Sequence, residues 1–555
     1  MLPLTPKMLW QQGRRKQCSI QKRKGEVMST FFGMETMRRA VNTNRTAIQT
    51  VGNNVANVNT PGYSRQRVNL QATGGYPATG VWTQPAMNGR VGSGVQVTGI
   101  ERIRDQLLDR QYRAEAHVEG AAFIQYKILE RMEDLYNEAP SDTTTSRLSD
   151  QFASFWNGWK ELASGKDSQA VLLEQGKAVT DAFTHLQDSF QTEMDMLETE
   201  AELTTAKVNQ ILEQLHATNK DIIAAESSGQ VPNELYDVQD RLLDQLSSLV
   251  PIQVSRSPKP PEHAATGAEG PYKVELKLGG SETITLVDAT EEAPQLLTLE
   301  DGMQWTVGDS NQPFTYNGAG GGELVGLQKA HERVGQELED IKALAQTFAK
   351  EVNQIYAFAY SEQGGFGQEF FTIHLDDSGA FSHIGVNSEL SNNPKALATA
   401  RFNEEGIKPE YQDEFAEKWA AWENDKDNEE AFRDLLAFLN EADHYVDGKM
   451  IVEGNVDVAK EISRLEDSAA IIGKYKDMMG KLGVETKAQR DLTEASNARL
   501  ANTESNRMAV SGVSLDEEMS LLIQFQHAYN AAARAMTAMD EMLDQIINRL
   551  GVVGR

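Results

Sequence analysis

Two lines of side chains, one near each end of the chain, recur at alternating gaps of three and four residues, and few folds can use that pattern at both ends. The first runs Met34, Met37, Val41, Asn44, Ile48, Val51, Val55, Val58, with Asn44 its single polar member. The second runs Leu515, Met519, Leu522, Gln526, Tyr529, Ala532, Met536, Met539, Leu543, Ile546, Leu550 and stops at Gly551, a favoured C-terminal residue. Such spacing is a heptad seam, the stripe by which one helix lies along another. Inside a domain the same stripe would face an ordinary core; at a chain end it suits a partner helix. At about 1.5 Å per residue the second helix would be roughly 55 Å long. Either seam alone would expose apolar surface and be a marginal helix, so each depends on a partner to cover it.

Charge separates the two ends. The 555 residues carry 53 Lys plus Arg against 82 Asp plus Glu, a net −29. Residues 1–27 are +6, and residues 28–113, with ten Arg, no Lys and four acids, are also +6, which leaves −41 for residues 114–555. Segment 514–550 has six acids (Asp516, Glu517, Glu518, Asp540, Glu541, Asp544) and two Arg, so the seam-bearing ends are complementary. The overall acidity argues against a nucleic-acid partner. No apolar run reaches the roughly 18 residues of a spanning helix, which argues against membrane insertion. Hydrophobic residues are 40% of the chain, enough for a core, and the length suggests about three or four domains.

Segment 1–27 is basic but lacks the apolar stretch and cleavage site of a secretory signal. A transit peptide or nucleic-acid arm is one reading. The other is an upstream start: Lys24-Gly25-Glu26 can be encoded by a purine run resembling a bacterial ribosome-binding sequence just ahead of Met28, so residues 1–27 are expected to be a non-native N-terminal extension. Cys18, the only cysteine, would go with it, leaving no thiol nucleophile, thiolate metal site or disulfide.

After the first seam the helix must stop at Asn57-Val58-Asn59-Thr60-Pro61-Gly62-Tyr63, because Pro61 pushes Thr60 out of helical space and Gly62 supplies a positive φ, as in a type II turn. Gly74, Gly75, Gly80, Gly92 and Gly94, with Val91, Val95 and Val97, read as short strands or an extended arm. Residues 101–250 carry four helical faces: Ile124, Ile128, Met132, Leu135; then Phe152, Phe155, Trp156, Trp159, Leu162; then Leu203, Val208, Ile211, Leu215, Ile222; then Leu235, Leu242, Leu246, Leu249. Four long helices predict a bundle. Past Pro251 the period changes to two at Val274, Leu276, Leu278, Ile284, Leu286, Leu297, Leu299, Trp305 and Val307, a small β-rich insert. Helical spacing returns from Leu324 to Ile355, and an acidic stretch, 401–453, places Trp419, Trp422, Phe432, Leu435, Leu436 and Leu439 at helical spacing.

Chemistry has no candidate residues. The nine His include no H-E-x-x-H pair, and His374 and His383 flanking Asp376 and Asp377 are the nearest approach to a metal-ligand cluster, without helical register to support it. Gly318-Ala319-Gly320-Gly321-Gly322 lacks the Lys-Ser/Thr of a phosphate loop and reads as a flexible turn. Trp156 and Trp159 read as core, and paired carboxylates are too common in an acidic chain to carry meaning alone. No catalytic, cofactor or metal site is predicted.

Ala56-Asn57-Val58-Asn59-Thr60-Pro61-Gly62-Tyr63-Ser64-Arg65-Gln66 resembles the N-terminal signature of bacterial flagellar axial proteins, and within them the hook-associated protein 1 family of the hook-filament junction. Ser511-Gly512-Val513-Ser514-Leu515-Asp516-Glu517-Glu518-Met519, with Gln524-Phe525-Gln526-His527-Ala528-Tyr529-Asn530-Ala531-Ala532-Ala533-Arg534, resembles the same family's tail. Weaker similarities lie at Phe152 to Leu162, Asn233 to Ser247 and Gly321 to Leu327, whereas 401–453 and the β region look unlike the usual pattern. The resemblance implies a non-catalytic, cofactor-free building block, exported unfolded through the flagellar type III apparatus and secreted to the flagellum. Its implied partners are copies of itself in an axial homo-oligomer, hook protein, the next hook-associated junction protein, and a cytoplasmic export chaperone on the C-terminal helix.

The expected fold is mainly α with a β-rich insert: 28–113 an N-terminal axial helix and extended arm, 114–250 and 321–400 two halves of a helical bundle domain, 251–320 the β-rich insert. Residues 401–453 would be an acidic helical insertion, 454–510 return helices and 511–555 the C-terminal axial helix. The two seams are the expected assembly interface, with Asn57, Thr60, Pro61, Gly62 and Tyr63 the family's turn. Two rivals stay open. A hook or rod subunit shares Asn57 to Gly62 and Met539-Asp540-Glu541-Met542-Leu543; a wall hydrolase on an axial scaffold would have to use 401–453.

Overall fold

Helix α1 (Phe32–Ala56) ends where the sequence says it must. In the computed structural model the Tyr63 N–H donates to the Thr60 carbonyl at 3.2 Å, and Gly62 takes φ +80°, the left-handed backbone that glycine adopts without strain. The described residues are 32–75, 92–136, 148–166, 168–256, 267–279, 282–308, 313–316, 320–360, 365–376, 378–426, 428–452, 455–467 and 469–545. The expected start at Met28, Val91 and Gly80 of the arm, Asp377, and Ile546, Leu550 and Gly551 of the second seam lie outside them.

Strands β1 (Gln66–Ala72) and β2 (Val95–Arg102) pair antiparallel from Gln66↔Arg102 to Ala72↔Val95, with an irregularity at Asn69/Leu70, and this ribbon lies against α1. Four helices follow, as the spacing predicts: α2 (Gln106–Tyr136), α3 (Leu148–Ala163), α4 (Gln169–Ser227) and α5 (Asn233–Leu249). Helix α2 runs through the 113/114 division drawn from composition. Helix α4 is about 90 Å long at 1.5 Å per residue. One residue assigned to its apolar face is not there: Leu203 is 68% exposed, while Ala201, Thr204 and Val208 are buried. Leu203 stands five residues before Val208, which rotates it about 140° round the helix from that face.

The β-rich insert is a three-stranded antiparallel sheet of β3 (Ile252–Arg256), β4 (Tyr272–Gly279) and β5 (Glu282–Val287), then a hairpin of β6 (Leu297–Glu300) and β7 (Gln304–Val307). Both pack on α4, where the buried Trp305 indole N–H donates to Thr205 Oγ1 at 3.1 Å. The chain then passes between α2 and α5 at Gly320–322, and here the expected flexible turn is corrected. The Gly322 N–H donates to the His117 carbonyl, and Gly322 sits at φ +99°, where a Cβ would stand 2.6 Å from the Leu249 carbonyl oxygen. Only glycine passes so close to a neighbouring backbone.

Helix α6 (Glu323–Tyr356) completes the bundle, followed by the hairpin β8 (Phe371–Leu375) and β9 (Phe381–Val386) and the short α7 (Ser388–Asn392). Phe152, Phe155, Trp156 and Trp159 of α3 are buried in an aromatic core with Phe348, Phe370 and Phe371, at ring-centroid distances such as 5.2 Å for Phe152–Phe348 and 5.7 Å for Phe155–Phe370. His374 and His383 stack as a cross-strand pair 4.5 Å apart, and Asp376 caps its own turn through Ser378 and Ala380. Among the described residues no group of three or more His, Asp or Glu is placed to hold a metal.

Within 401–453, helices α8 (Gln412–Asn424) and α9 (Glu429–Leu439) enclose a second core of Phe402, Ile407, Phe415, Trp422, Leu435 and Tyr445, to which Phe358 and Phe366 contribute. The segment enters and leaves at one point, where Phe402 bridges Ile451. The chain returns through α10 (Asp457–Arg464) and α11 (Lys474–Ser511), which lies antiparallel to α2 with Thr493 and Gln489 donating to the Ala122 carbonyl, and ends in α12 (Leu515–Asp544).

Candidate assembly interface

Helix α12 folds back along α1. Two contacts define how: a Cβ on Gly33 would lie 2.8 Å from Met539 Sδ, and Asn54 Nδ2 donates to Glu518 Oε2 at 3.0 Å. In both pairs the residue numbers total 572, so the helices run antiparallel in one register over three heptads.

Val51 is buried, and Met34, Met37, Val41, Asn44, Ile48, Val55 and Val58 are half-buried. Asn44 turns its amide onto its own helix, donating to the Ala40 carbonyl at 2.9 Å. The seam spacing overlooked four buried residues, Ala47 and Asn54, which share the heptad line of Gly33 toward α12, and Thr43 and Thr50, because α1 serves two partners. Its second face meets the β1–β2 ribbon, with the Thr43 hydroxyl donating to the Val95 carbonyl at 3.4 Å. The signal for that face was the recurrence of threonine every seven residues at Thr36, Thr43 and Thr50.

On α12 the half-buried Leu522, Tyr529, Met536 and Met539 and the buried Leu543 belong to the predicted line, but its first turns differ. The sequestered line enters at Glu518 and continues Leu522, Phe525, Tyr529, Ala532, Met536, Met539, Leu543. Leu515 and Met519 are 48% and 47% exposed and, with Ile523, make an outward apolar stripe. An apolar residue therefore occurs on two faces of α12, and spacing alone merges them into one line.

The predicted turn joins this pair to the body. Asn57 Nδ2 donates to the Asn53 carbonyl at 3.0 Å, and the Thr60 hydroxyl donates to Asn57 Oδ1 at 3.2 Å. Pro61 and Gly62 carry the chain round so that the Tyr63 hydroxyl donates to Asn54 Oδ1 at 2.8 Å. Burial, reinforced by Asp237, Glu518 and Glu234, pushes the Tyr63 phenol up to about 12, so it stays a neutral donor. Asn54 is thereby saturated: its amide also exchanges two bonds with the Gln66 backbone, at 2.9 and 3.0 Å. Glu518 is 1% exposed and is paired by Arg65 Nε at 2.7 Å, at the N-terminal end of α12 where a carboxylate is favoured.

Below this point the roots of both arms grip one helix. Asp240 of α5 accepts from Arg102 at 2.9 Å and Arg113 at 3.1 Å, with Arg104 at 3.5 Å. One turn on, Asp244 holds Arg113 at 2.9 Å and Arg507 of α11 at 2.5 Å. Burial alone would raise the Asp240 carboxyl, but Arg104, Arg102 and Arg113 outweigh it and hold it far below the usual range. In so acidic a chain carboxylates carry no meaning alone; the signal for these two is the arm's use of Arg to the exclusion of Lys, since a planar guanidinium is the cation that tolerates burial against carboxylates.

Comparison with known proteins shows the family of the chain. Residues 129–371 match the family described as flagellar hook-associated protein FlgK helical domain, 34–63 match flagella basal body rod protein, and 504–550 match flagellar basal body rod FlgEFG protein C-terminal. Flagellar hook-associated protein 1 of Bacillus subtilis (strain 168) is 33% identical over 554 residues, covering 95% of this chain and 100% of that protein. The protein of the same name from Escherichia coli (strain K12) is 20% identical, covering 92% and 98%. A solved structure of the flagellar hook junction protein FlgK from Burkholderia pseudomallei is 18% identical over 48% of this chain and 47% of its own, with a TM-score of 0.38. A relationship at one-third identity along essentially the whole of both sequences makes this chain a member of the flagellar hook-associated protein 1 family.

Proposed function

We propose that the chain is a structural, non-catalytic subunit of the bacterial flagellum that joins hook to filament and assembles through its paired terminal helices. The observation that carries this reading is the pairing of α1 with α12 above a shared ionic root on α5, which turns two distant chain ends into one rod-like unit. The rod keeps one apolar stripe, Leu515, Met519 and Ile523, facing outward. Repetition along an axis requires a heterologous contact, which builds a stack rather than a closed pair. The exposed Arg45 of α1 and the exposed Asp516 and Asp540 of α12 offer charges of opposite sign for such a contact.

In this reading the partners are copies of the chain, hook protein below and the next junction protein above. The protein travels through the type III export apparatus to the outside of the cell, with a cytoplasmic chaperone covering α12 beforehand. Immunogold labelling tests the assignment: label confined to the distal end of the hook supports it.

A hook or rod subunit is favoured by the rod-protein matches at 34–63 and 504–550. The helical-domain match across 129–371 weighs against it. Label along the whole hook would decide for that alternative.

A further inference from the structure

The sequestered line of α12 repeats itself: residues 518, 525, 532 and 539 are one heptad apart, as are 522, 529, 536 and 543. On α1, positions 33, 40, 47 and 54 are likewise seven apart. Apolar packing alone therefore has a near-equivalent solution in which α12 slides by one heptad, about 10 Å along α1. Asn44, the polar residue of the predicted seam, does nothing to prevent this, since its amide is satisfied within its own helix.

We infer that Asn54 and Glu518, with Arg65 and Tyr63, form a register clasp that selects the one productive alignment of the two arms. Asn54 is 1% exposed and uses all four of its hydrogen-bonding positions, three of them on the β1 side through Gln66 and Tyr63 and the fourth on Glu518. Among the described residues, Glu518, equally buried, has Asn54 and Arg65 as its side-chain hydrogen-bond partners. In the slid alignment Asn54 stands opposite Phe525, which has nothing to offer the free amide proton, and Glu518 passes beyond the helical end of α1. A buried carboxylate and a buried amide both lose a partner, a penalty the apolar residues do not register. One polar pair in an otherwise repetitive seam is a known way for a sequence to reject wrong alignments. Because Gln66 starts β1 and Arg65 precedes it, the clasp also fixes the arm pair to the ribbon. The inference deepens the assembly reading and rests on it only for the final outcome below.

The test uses the full chain with Cys18→Ser and engineered cysteine pairs. Gly33→Cys with Met539→Cys reports the observed register; Ala40→Cys with Met539→Cys reports the slid one. With Asn54 and Glu518 intact, mild oxidation should give a disulfide for the first pair and background for the second. In Asn54→Leu/Glu518→Leu, whose clasp becomes apolar, the second disulfide should rise at least about tenfold. Glu518→Gln, which keeps an acceptor for Asn54, should hold the original pattern. If the double Leu variant gives only the 33–539 disulfide, or if Glu518→Gln slides as readily as it does, the clasp does not set register. If the double Leu variant slides and still incorporates normally into hook-filament joints, the clasp stands and the assembly reading is the part that fails.

Discussion

Asn54 and Glu518 are 464 residues apart in sequence and share a buried hydrogen bond of 3.0 Å, the side-chain contact that ties the start of the C-terminal arm to the end of the N-terminal one. Asn54→Ala would remove that bond and the pair made with Gln66, leaving buried polar groups unmet at a cost of about 1–3 kcal/mol. The loss should be local. Hydrogen exchange should accelerate in α1 and α12 while the amides of α3 and α4 keep their protection; equal protection of the arms in mutant and parent would refute this.

Asp240 carries the other end of the construction. Asp240→Asn strips the common carboxylate from three buried guanidinium groups and should destabilise the chain by about 3–5 kcal/mol near neutral pH. Because the native carboxyl is held far below its ordinary value, its contribution is present above about pH 4 and is lost as pH falls below it. The gap between parent and mutant should therefore narrow by about 1.4 kcal/mol per pH unit below about pH 4. Urea titrations at several pH values measure it, and a gap that widens with acid contradicts the assignment.

Gly322→Ala places a methyl 2.6 Å from the Leu249 carbonyl oxygen and forces a side chain into φ +99°. The passage between α2 and α5 has no slack, so the substitution should cost about 1–3 kcal/mol. Thermal unfolding of the bundle should shift down accordingly, and an unchanged melting curve would mean the passage is looser than described.

Residues 401–452 should be dispensable for folding of the rest. The Asn403 N–H donates to the Met450 carbonyl at 2.6 Å, so a short glycine link can replace 403–450 without moving the flanking chain. With Phe358→Ser and Phe366→Ser to remove the apolar face left behind, the shortened chain should retain its bundle and lose only the helix signal of α8 and α9. Collapse of the aromatic core around Phe152 and Phe348 in near-ultraviolet circular dichroism would argue for one cooperative unit. Incubating the excised segment with cell wall tests the hydrolase rival, and release of wall fragments would revive it.

Deletion of 514–555 should leave residues 106–511 folded and abolish incorporation into the flagellum. The bundle has its own core, whereas α1 loses the helix that covers it. Normal filaments from that mutant would rule out assembly through paired arms.

Much of this was readable without coordinates. The helix-breaking Pro61-Gly62, the four helical faces between 101 and 250 and the change of period after Pro251 are local patterns, and local sterics and amphipathic spacing act within a few residues of where they are written. Family membership was readable for the same reason, since the terminal motifs are contiguous. Tertiary structure decided the rest. Spacing shows that a helix has an apolar side but not which of two neighbours takes which side, so α1 yielded one seam where there are two contacts, and Leu515 and Met519 were joined to a line that turns away from them. Likewise no rule of sequence separates Asn54 from Asn44, or Asp240 from the chain's other acids. A buried amide or carboxylate acquires its meaning from groups hundreds of residues away, and only the folded chain brings those groups within hydrogen-bonding distance.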